Sequence, residues 1–284
     1  VLIFLNYYFS FFRVWLMFSF FDGTSWWKVP LFYLLIYFSV AIPVCLFQKD
    51  FSSLRNPMFY FKGIFFIIIY SLSIGLISYR NIQFPTFTPQ ESMFIHRIIW
   101  QLKGVFFIGL PLLLFKIFYD KSSVPGLYGL SRNTKYLSGY LFMFLLLMPF
   151  LVGMSFTGDL NNFYPIFRPW LFEGIFSLPS VGTTLVFESA YGVNFMTTEL
   201  FFRGALILGM STVMGTKSIL PMITLYAAIH FGKPLAETIS SIFGGYLLGA
   251  WAYQNRHIWG GIIAHIGVAF TMEIMGFLHY YVLK

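Results

Sequence analysis

Six ionisable residues stand inside apolar stretches towards the C-terminal end of the chain: Glu199 and Arg203 in MTTELFFRGALILG, His230 in ITLYAAIHFG, Glu237 in PLAETISSIFGG, His265 in GGIIAHIGVAF, and Glu273 shortly after it. A charged side chain at bilayer depth costs about 2.5–3.5 kcal/mol per Asp, Lys or Arg on insertion scales, so such positions are read first as a functional site. A carboxylate paired with an imidazole can activate water as general base, while a second imidazole donates to a developing oxyanion. The same Glu199, His230 and His265 could alternatively form a two-His-one-carboxylate metal set, with zinc among the candidate divalent ions. The H-E-x-x-H string of helical zinc proteases is absent.

Spacing refines the set. Glu199 and Arg203 are an i,i+4 pair with the acid on the N-terminal side, the favourable order, so they meet on one helical face. That spacing suits a structural ion pair and a catalytic carboxylate alike. Between His230 and Glu237 come Gly232 and Pro234, which predict a break between two helices rather than one shared face. Glu273 falls roughly 80° round a helix from His265 and is at most a supporting residue. His96, His257 and His279 lie near predicted membrane boundaries and are read as amphipathic interface residues.

The elements that position these groups are membrane helices. Hydrophobic residues make up 58% of the chain and charged residues 10%, and the mean hydropathy is +0.76. An average soluble domain has about 25% charged residues, so the expected class is an all-α, polytopic transmembrane bundle. Spans are expected near Val29–Phe47, Phe59–Ser78, Val105–Tyr119, Tyr136–Phe156, Gly192–Val213, Ile219–Phe231, Leu235–Tyr253 and Ile258–Val282, eight in all. Residues 1–20 form either a ninth span or an interfacial helix in which Asn6 and Arg13 snorkel or mark a polar face. They contain no small-residue cleavage site, so no cleaved signal peptide is expected. The segment Thr157–Ser189, with Asp159, Glu173 and Glu188, is read as an interfacial or re-entrant element leading into the Glu199 helix.

Loop charges orient the bundle. Lys49, Arg55, Lys121, Arg132, Lys135, Lys217 and Arg256 fall on one side when spans alternate, and the positive-inside rule makes that side cytoplasmic. Arg80, Glu91, Arg97, Arg168 and Lys233 fall on the other. The formal charge of +8 is dispersed and forms no run, which excludes a nucleic-acid footprint. Cys45 is the single cysteine, so neither an internal disulfide nor a Cys-based metal site can form. The chain divides into an N-terminal multispanning region, residues 1–135, and a C-terminal core, residues 136–284, that holds the buried ionisable groups. Ser240, Ser241, Gly244, Gly245 and Gly249 give one helix of that core a small-residue face for close packing.

The order ExxxRG, aromatic-xxx-His, Gly-rich helix and GGxxxH on consecutive late spans resembles the CPBP family of intramembrane proteases, the group of CAAX prenyl endopeptidases and bacteriocin-processing or immunity (Abi) proteins. The resemblance covers roughly residues 197–269. The family's EExxxR motif corresponds to Thr198, Glu199 and Arg203, its Phe-xxx-His motif to Tyr226 and His230, and its His-xxx-Asn/Asp motif to His265 and Ala269. Two positions depart from the pattern. Thr198 stands where the family has the glutamate credited with activating water, and Ala269 where it has the Asn of the oxyanion hole.

The resemblance implies an intramembrane endopeptidase that hydrolyses a peptide bond near the membrane. Glu199 and His230 would activate water, His265 would stabilise the oxyanion, and Arg203, Tyr226 and Glu237 would support them. It implies a peptide or protein substrate, a bilayer location in a cell or inner membrane, and no required cofactor. Two other readings stay open: a non-catalytic scaffold or immunity-type relative, which the two departures favour, and a proton-coupled transporter using the same ionisable groups as a relay.

Overall fold

The computed structural model describes residues 2–17, 26–75, 81–121, 124–156 and 163–283. Arg80, Asp159, residues 18–20 of the N-terminal stretch, residues 76–78 of the second expected span and residues 157–162 of the Thr157–Ser189 segment lie outside them. The described chain is helical apart from one isolated bridge, Leu127–Leu130. Its main helices are α1 (Leu2–Phe9), α2 (Lys28–Phe47), α3 (Pro57–Gly75), α4 (Pro89–Gly104), α5 (Leu110–Phe118), α6 (Leu137–Ser155), α7 (Ser180–Glu199), α8 (Ile219–Ala228), α9 (Leu235–Asn255) and α10 (Trp259–Tyr281). A π-helical turn, Val105–Gly109, joins α4 to α5, and a longer π-helical segment, Leu200–Gly209, continues α7.

Among the described residues six helical stretches, not the expected eight, are long and apolar enough to cross a membrane: Lys28–Phe47, Pro57–Gly75, Pro89–Phe118, Leu137–Ser155, Ser180–Ala228 and Trp259–Tyr281. The protein is an integral, multi-pass membrane protein. Two expected spans, Gly192–Val213 and Ile219–Phe231, belong to one apolar stretch of 49 residues that turns at Gly215, where φ is 57°. The expected Leu235–Tyr253 span corresponds to α9, which is 21 residues long but carries Glu237, Thr238, Ser240 and Ser241 in its first two turns and is not among the six.

Two starts also move. The span expected from Val105 begins at Pro89, because Thr88 and Glu91 form a capping box with Pro89 at the first helical position. The polar first half of that helix is amphipathic, with Gln90, Glu91, His96 and Arg97 among its apolar residues, and lacks the continuous apolar run used to place spans. The helix expected from Gly192 begins at Ser180, so the last ten residues of the Thr157–Ser189 segment are regular helix; residues 163–179 are irregular with two single-turn 3₁₀ helices.

The chain forms two compact units. Residues 1–77, 106–135 and 198–259 make the first, and residues 78–105, 136–197 and 260–284 the second. In the first unit α8 packs against α2 and α9, α2 against α3, and the Leu200–Gly209 segment against α3, α8 and α9. All ten residues of that segment are buried, with Tyr70 stacked on Phe201 at 4.4 Å between ring centroids. The small-residue face of α9 serves the close packing expected of it. A Cβ on Gly245 would come within 3.1 Å of the Tyr226 ring, and one on Gly249 within 2.8 Å of Ile207 and Met222.

The basic loops assigned to one membrane side are tied together at one end of this unit. Lys217 pairs with Asp50 at 3.0 Å, Ser53 Oγ donates to the Val213 carbonyl at 2.8 Å, Arg256 donates to Ser211 Oγ at 3.2 Å, and Asn133 donates to the Asn255 carbonyl at 3.1 Å. The hydroxyls of Ser52 and Ser53, then Lys217, hold the Asp50 carboxyl well below the usual carboxylate range.

In the second unit the core is aromatic. Phe94, Phe167, Phe172 and Phe187 pack together, with Phe167 stacked on Phe187 at 4.6 Å. Glu273, buried on α10, accepts the backbone N–H of Ile166 at 2.8 Å and of Phe167 at 3.4 Å, which fixes the loop that carries this core.

Candidate functional site

The first unit gathers four of the sequence-selected residues. Glu199 ends α7 and Arg203 lies one turn on, inside the π-helical segment; neither has any solvent-exposed surface. Arg203 Nη1 donates to Glu199 Oε1 at 2.7 Å, so the expected ion pair forms even though the backbone between them changes from α to π. Short π-helical bulges recur at functional positions because the extra residue per turn re-aims side chains. The run here spans ten residues and carries Arg203. The guanidinium also lies over the Tyr226 ring, 4.4 Å from its centroid. The Tyr226 ring packs in turn against the His230 ring at 4.8 Å. Glu199, Arg203, Tyr226 and His230 therefore form one continuous buried cluster.

His230 sits just beyond the end of α8, in the predicted break before α9, and is 7% exposed. Its Nδ1 lies 2.7 Å from the Tyr226 carbonyl. A carbonyl can only accept, so Nδ1 carries the proton and Nε2 of the neutral ring holds a lone pair. The backbone thereby sets the tautomer that a general base needs.

Glu237, expected in support of His230, is engaged by a cation. It pairs with Lys233, four residues before it, and both are partly exposed. The α9 residue that does reach the His230 turn is Thr238, whose hydroxyl donates to the His230 carbonyl at 2.6 Å.

The N-terminal helix also holds this turn. Asn6 Nδ2 donates to the Phe231 carbonyl at 3.1 Å, Tyr7 OH donates to the Lys233 carbonyl at 2.6 Å, and Tyr7 OH lies 2.7 Å from Thr238 Oγ1. Asn6 is 3% exposed, so it neither snorkels nor marks a polar face. Its signal was an amide in an apolar helix, a group that finds a partner when buried. His257, expected at an interface, is likewise fully buried and lies 2.7 Å from the Lys135 carbonyl through Nε2.

A second buried ionic group, overlooked in the sequence, fixes the far end of the π-helical segment. Lys62 on α3 lies 2.8 Å from Asp120 Oδ2 and donates to the Gly209 carbonyl at 3.2 Å and to Thr212 Oγ1 at 2.8 Å. A cation at the last carbonyls of a helix also meets the negative end of its dipole. Tyr128 OH donates to the same Asp120 oxygen at 2.8 Å, and burial, then Asp120 itself, push the phenol pKa up and keep it protonated.

His265 belongs to the second unit, where it is half-buried on α10 with its ring 4.5 Å from that of Phe195. Ala269 is buried in the aromatic core of that unit. Among the described residues no group of three or more His, Cys, Asp and Glu side chains is disposed to hold a metal ion.

Comparison with known proteins gives one match. Residues 179–271 match the family model described as Rce1-like, Type II CAAX prenyl endopeptidase Rce1-like. This range contains all three motif positions and extends the sequence-level resemblance by most of α7. No curated protein and no solved structure matches the chain.

Proposed function

We propose that this multi-pass membrane protein, which carries the Rce1-like CAAX prenyl endopeptidase domain across residues 179–271, is an intramembrane endopeptidase acting on a peptide bond near the membrane. The observation that carries the reading is the buried Glu199–Arg203–Tyr226–His230 cluster inside the matched segment, with His230 Nδ1 engaged by a backbone carbonyl.

In the proposed reaction His230 Nε2 takes a proton from a water molecule as the water oxygen attacks the scissile carbonyl carbon. The Glu199 carboxylate acts with His230 on that water. His265 donates to the oxyanion. Collapse of the tetrahedral intermediate breaks the C–N bond, and the proton held by His230 passes to the leaving amine. Arg203 and Tyr226 position Glu199 and His230. We assign no metal to the reaction, because the guanidinium that already occupies Glu199 would repel a dication there.

A second reading, a non-catalytic scaffold, draws support from one feature: Glu199 and Arg203 have no solvent-exposed surface, as a purely structural pair would. Purified protein in detergent, incubated with a mixed peptide library beside His230→Ala, His265→Ala and Glu199→Gln, separates the two. The peptidase reading expects cleavage by the wild type, loss in each variant and no effect of a chelator. A folded wild type that cleaves nothing would favour the scaffold, and chelator sensitivity would refute the metal-free chemistry.

A further inference from the structure

The second unit contains a cavity of about 560 Å³ that the proposed reaction does not use. One stripe of α4 supplies most of its wall: Ser92, His96, Arg97, Trp100 and Gln101 recur at the three- and four-residue spacing of a single helical face. Ile166 and Phe187 close the other side.

The stripe is cationic and aromatic. Arg97 is half-buried, donates to the Ile166 carbonyl at 3.2 Å and lies 5.4 Å from the centroid of the Phe172 ring. Among the described residues no carboxylate forms an ion pair with it, so most of its fork of N–H donors faces the cavity or solvent. Arg168 adds a second positive charge within electrostatic reach. The nearest acid in sequence, Glu91, is committed to its capping box and to the Phe176 N–H. A cavity with this charge balance favours an anion, and Trp100 beside it is the residue type that sits at the level of lipid head groups.

We propose that this cavity binds the head group of an anionic phospholipid, with the phosphate held by Arg97. An Arg guanidinium matches phosphate geometry in a bidentate way that a lysine does not.

The test uses the full chain, delipidated and reconstituted in nanodiscs of phosphatidylglycerol or of phosphatidylcholine. Thermal midpoints are measured in both, and retained lipid is counted by native mass spectrometry. The proposal expects a higher midpoint in phosphatidylglycerol than in phosphatidylcholine. It expects Arg97→Gln to remove that difference and weaken lipid retention about tenfold, the loss of one charge-assisted contact. Arg97→Lys should recover part of it. Met93→Trp, which fills the cavity from an exposed wall position without touching the Arg97 bonds, should give the same loss and covers the case in which Arg97→Gln does not fold. Equal midpoints in the two lipids, or an undiminished phosphatidylglycerol effect in Met93→Trp, would overturn the proposal. So would an equal rise with inorganic phosphate in phosphatidylcholine discs, which would make the site one for free anions.

Discussion

Breaking the Glu199–Arg203 pair should destabilise the protein far more than removing it whole. Both groups are completely buried and joined at 2.7 Å. Deleting one partner strands an ion that water cannot reach, a loss of about 3–5 kcal/mol in comparable buried pairs, or two to four orders of magnitude in the folding equilibrium. The two halves are not equivalent. Arg203→Met leaves a carboxyl that can neutralise itself by taking up a proton, whereas Glu199→Leu leaves a guanidinium that cannot shed one. Glu199→Leu should therefore sit at about 5 kcal/mol, with Arg203→Met nearer about 3 kcal/mol. The double variant, which puts apolar side chains of similar volume in place of both, should return to within about 1 kcal/mol of wild type. Equilibrium unfolding by SDS in mixed micelles measures all four proteins as a thermodynamic cycle. Additive losses, with the double variant the least stable of the set, would refute the account of the pair as a mutually neutralised buried unit.

Three other perturbations test the scaffold around the site. Lys62→Met should cost about 3–5 kcal/mol in the same unfolding assay, because it removes the cation paired with the buried Asp120 carboxylate, and Asp120→Asn in the same chain should recover part of the loss. Asp50 is held below the ordinary carboxylate range when folded, so its contribution is fully present above about pH 4, where the unfolded group is ionised, and fades as pH falls through the lower folded value. The gap in thermal midpoint between wild type and Asp50→Asn should accordingly shrink as the pH is lowered from 6 to 3. Gly249→Ala meets only the flexible ends of Ile207 and Met222 and should be tolerated, whereas Gly249→Val should cost about 1–3 kcal/mol by overpacking the contact of α9 with its neighbours, read from the unfolding midpoint.

Local signals carried the sequence reading furthest. Hydropathy established the membrane class, i,i+4 spacing the Glu199–Arg203 pair, and Gly232 with Pro234 the break at His230. Each depends on residues within a turn or two of one another. The capping box at Thr88–Glu91 was equally local and would have placed the start of α4, but a search for unbroken apolar runs passes over a helix whose first half is amphipathic. The Lys233–Glu237 pair, also at i,i+4 spacing, was local too. The π-helical register of residues 200–209 leaves no mark in hydrophobic periodicity, because the segment is buried on every side. The Lys62–Asp120 bridge and the Asn6–Phe231 bond join residues remote in sequence, and no spacing rule predicts which distant partner a lone polar group will find.

The bond from Asn6 to the Phe231 carbonyl closes a loop of 225 residues. Closing a loop of that length costs about 5 kcal/mol in chain entropy, more than a few hydrogen bonds return. The tie can therefore persist only after the helices between its ends have assembled, which makes it a late event in folding. A nascent chain therefore keeps its His230 turn loose until the helices between Asn6 and Phe231 have assembled, so the ordering of that turn reports on the packing of the whole stretch between them.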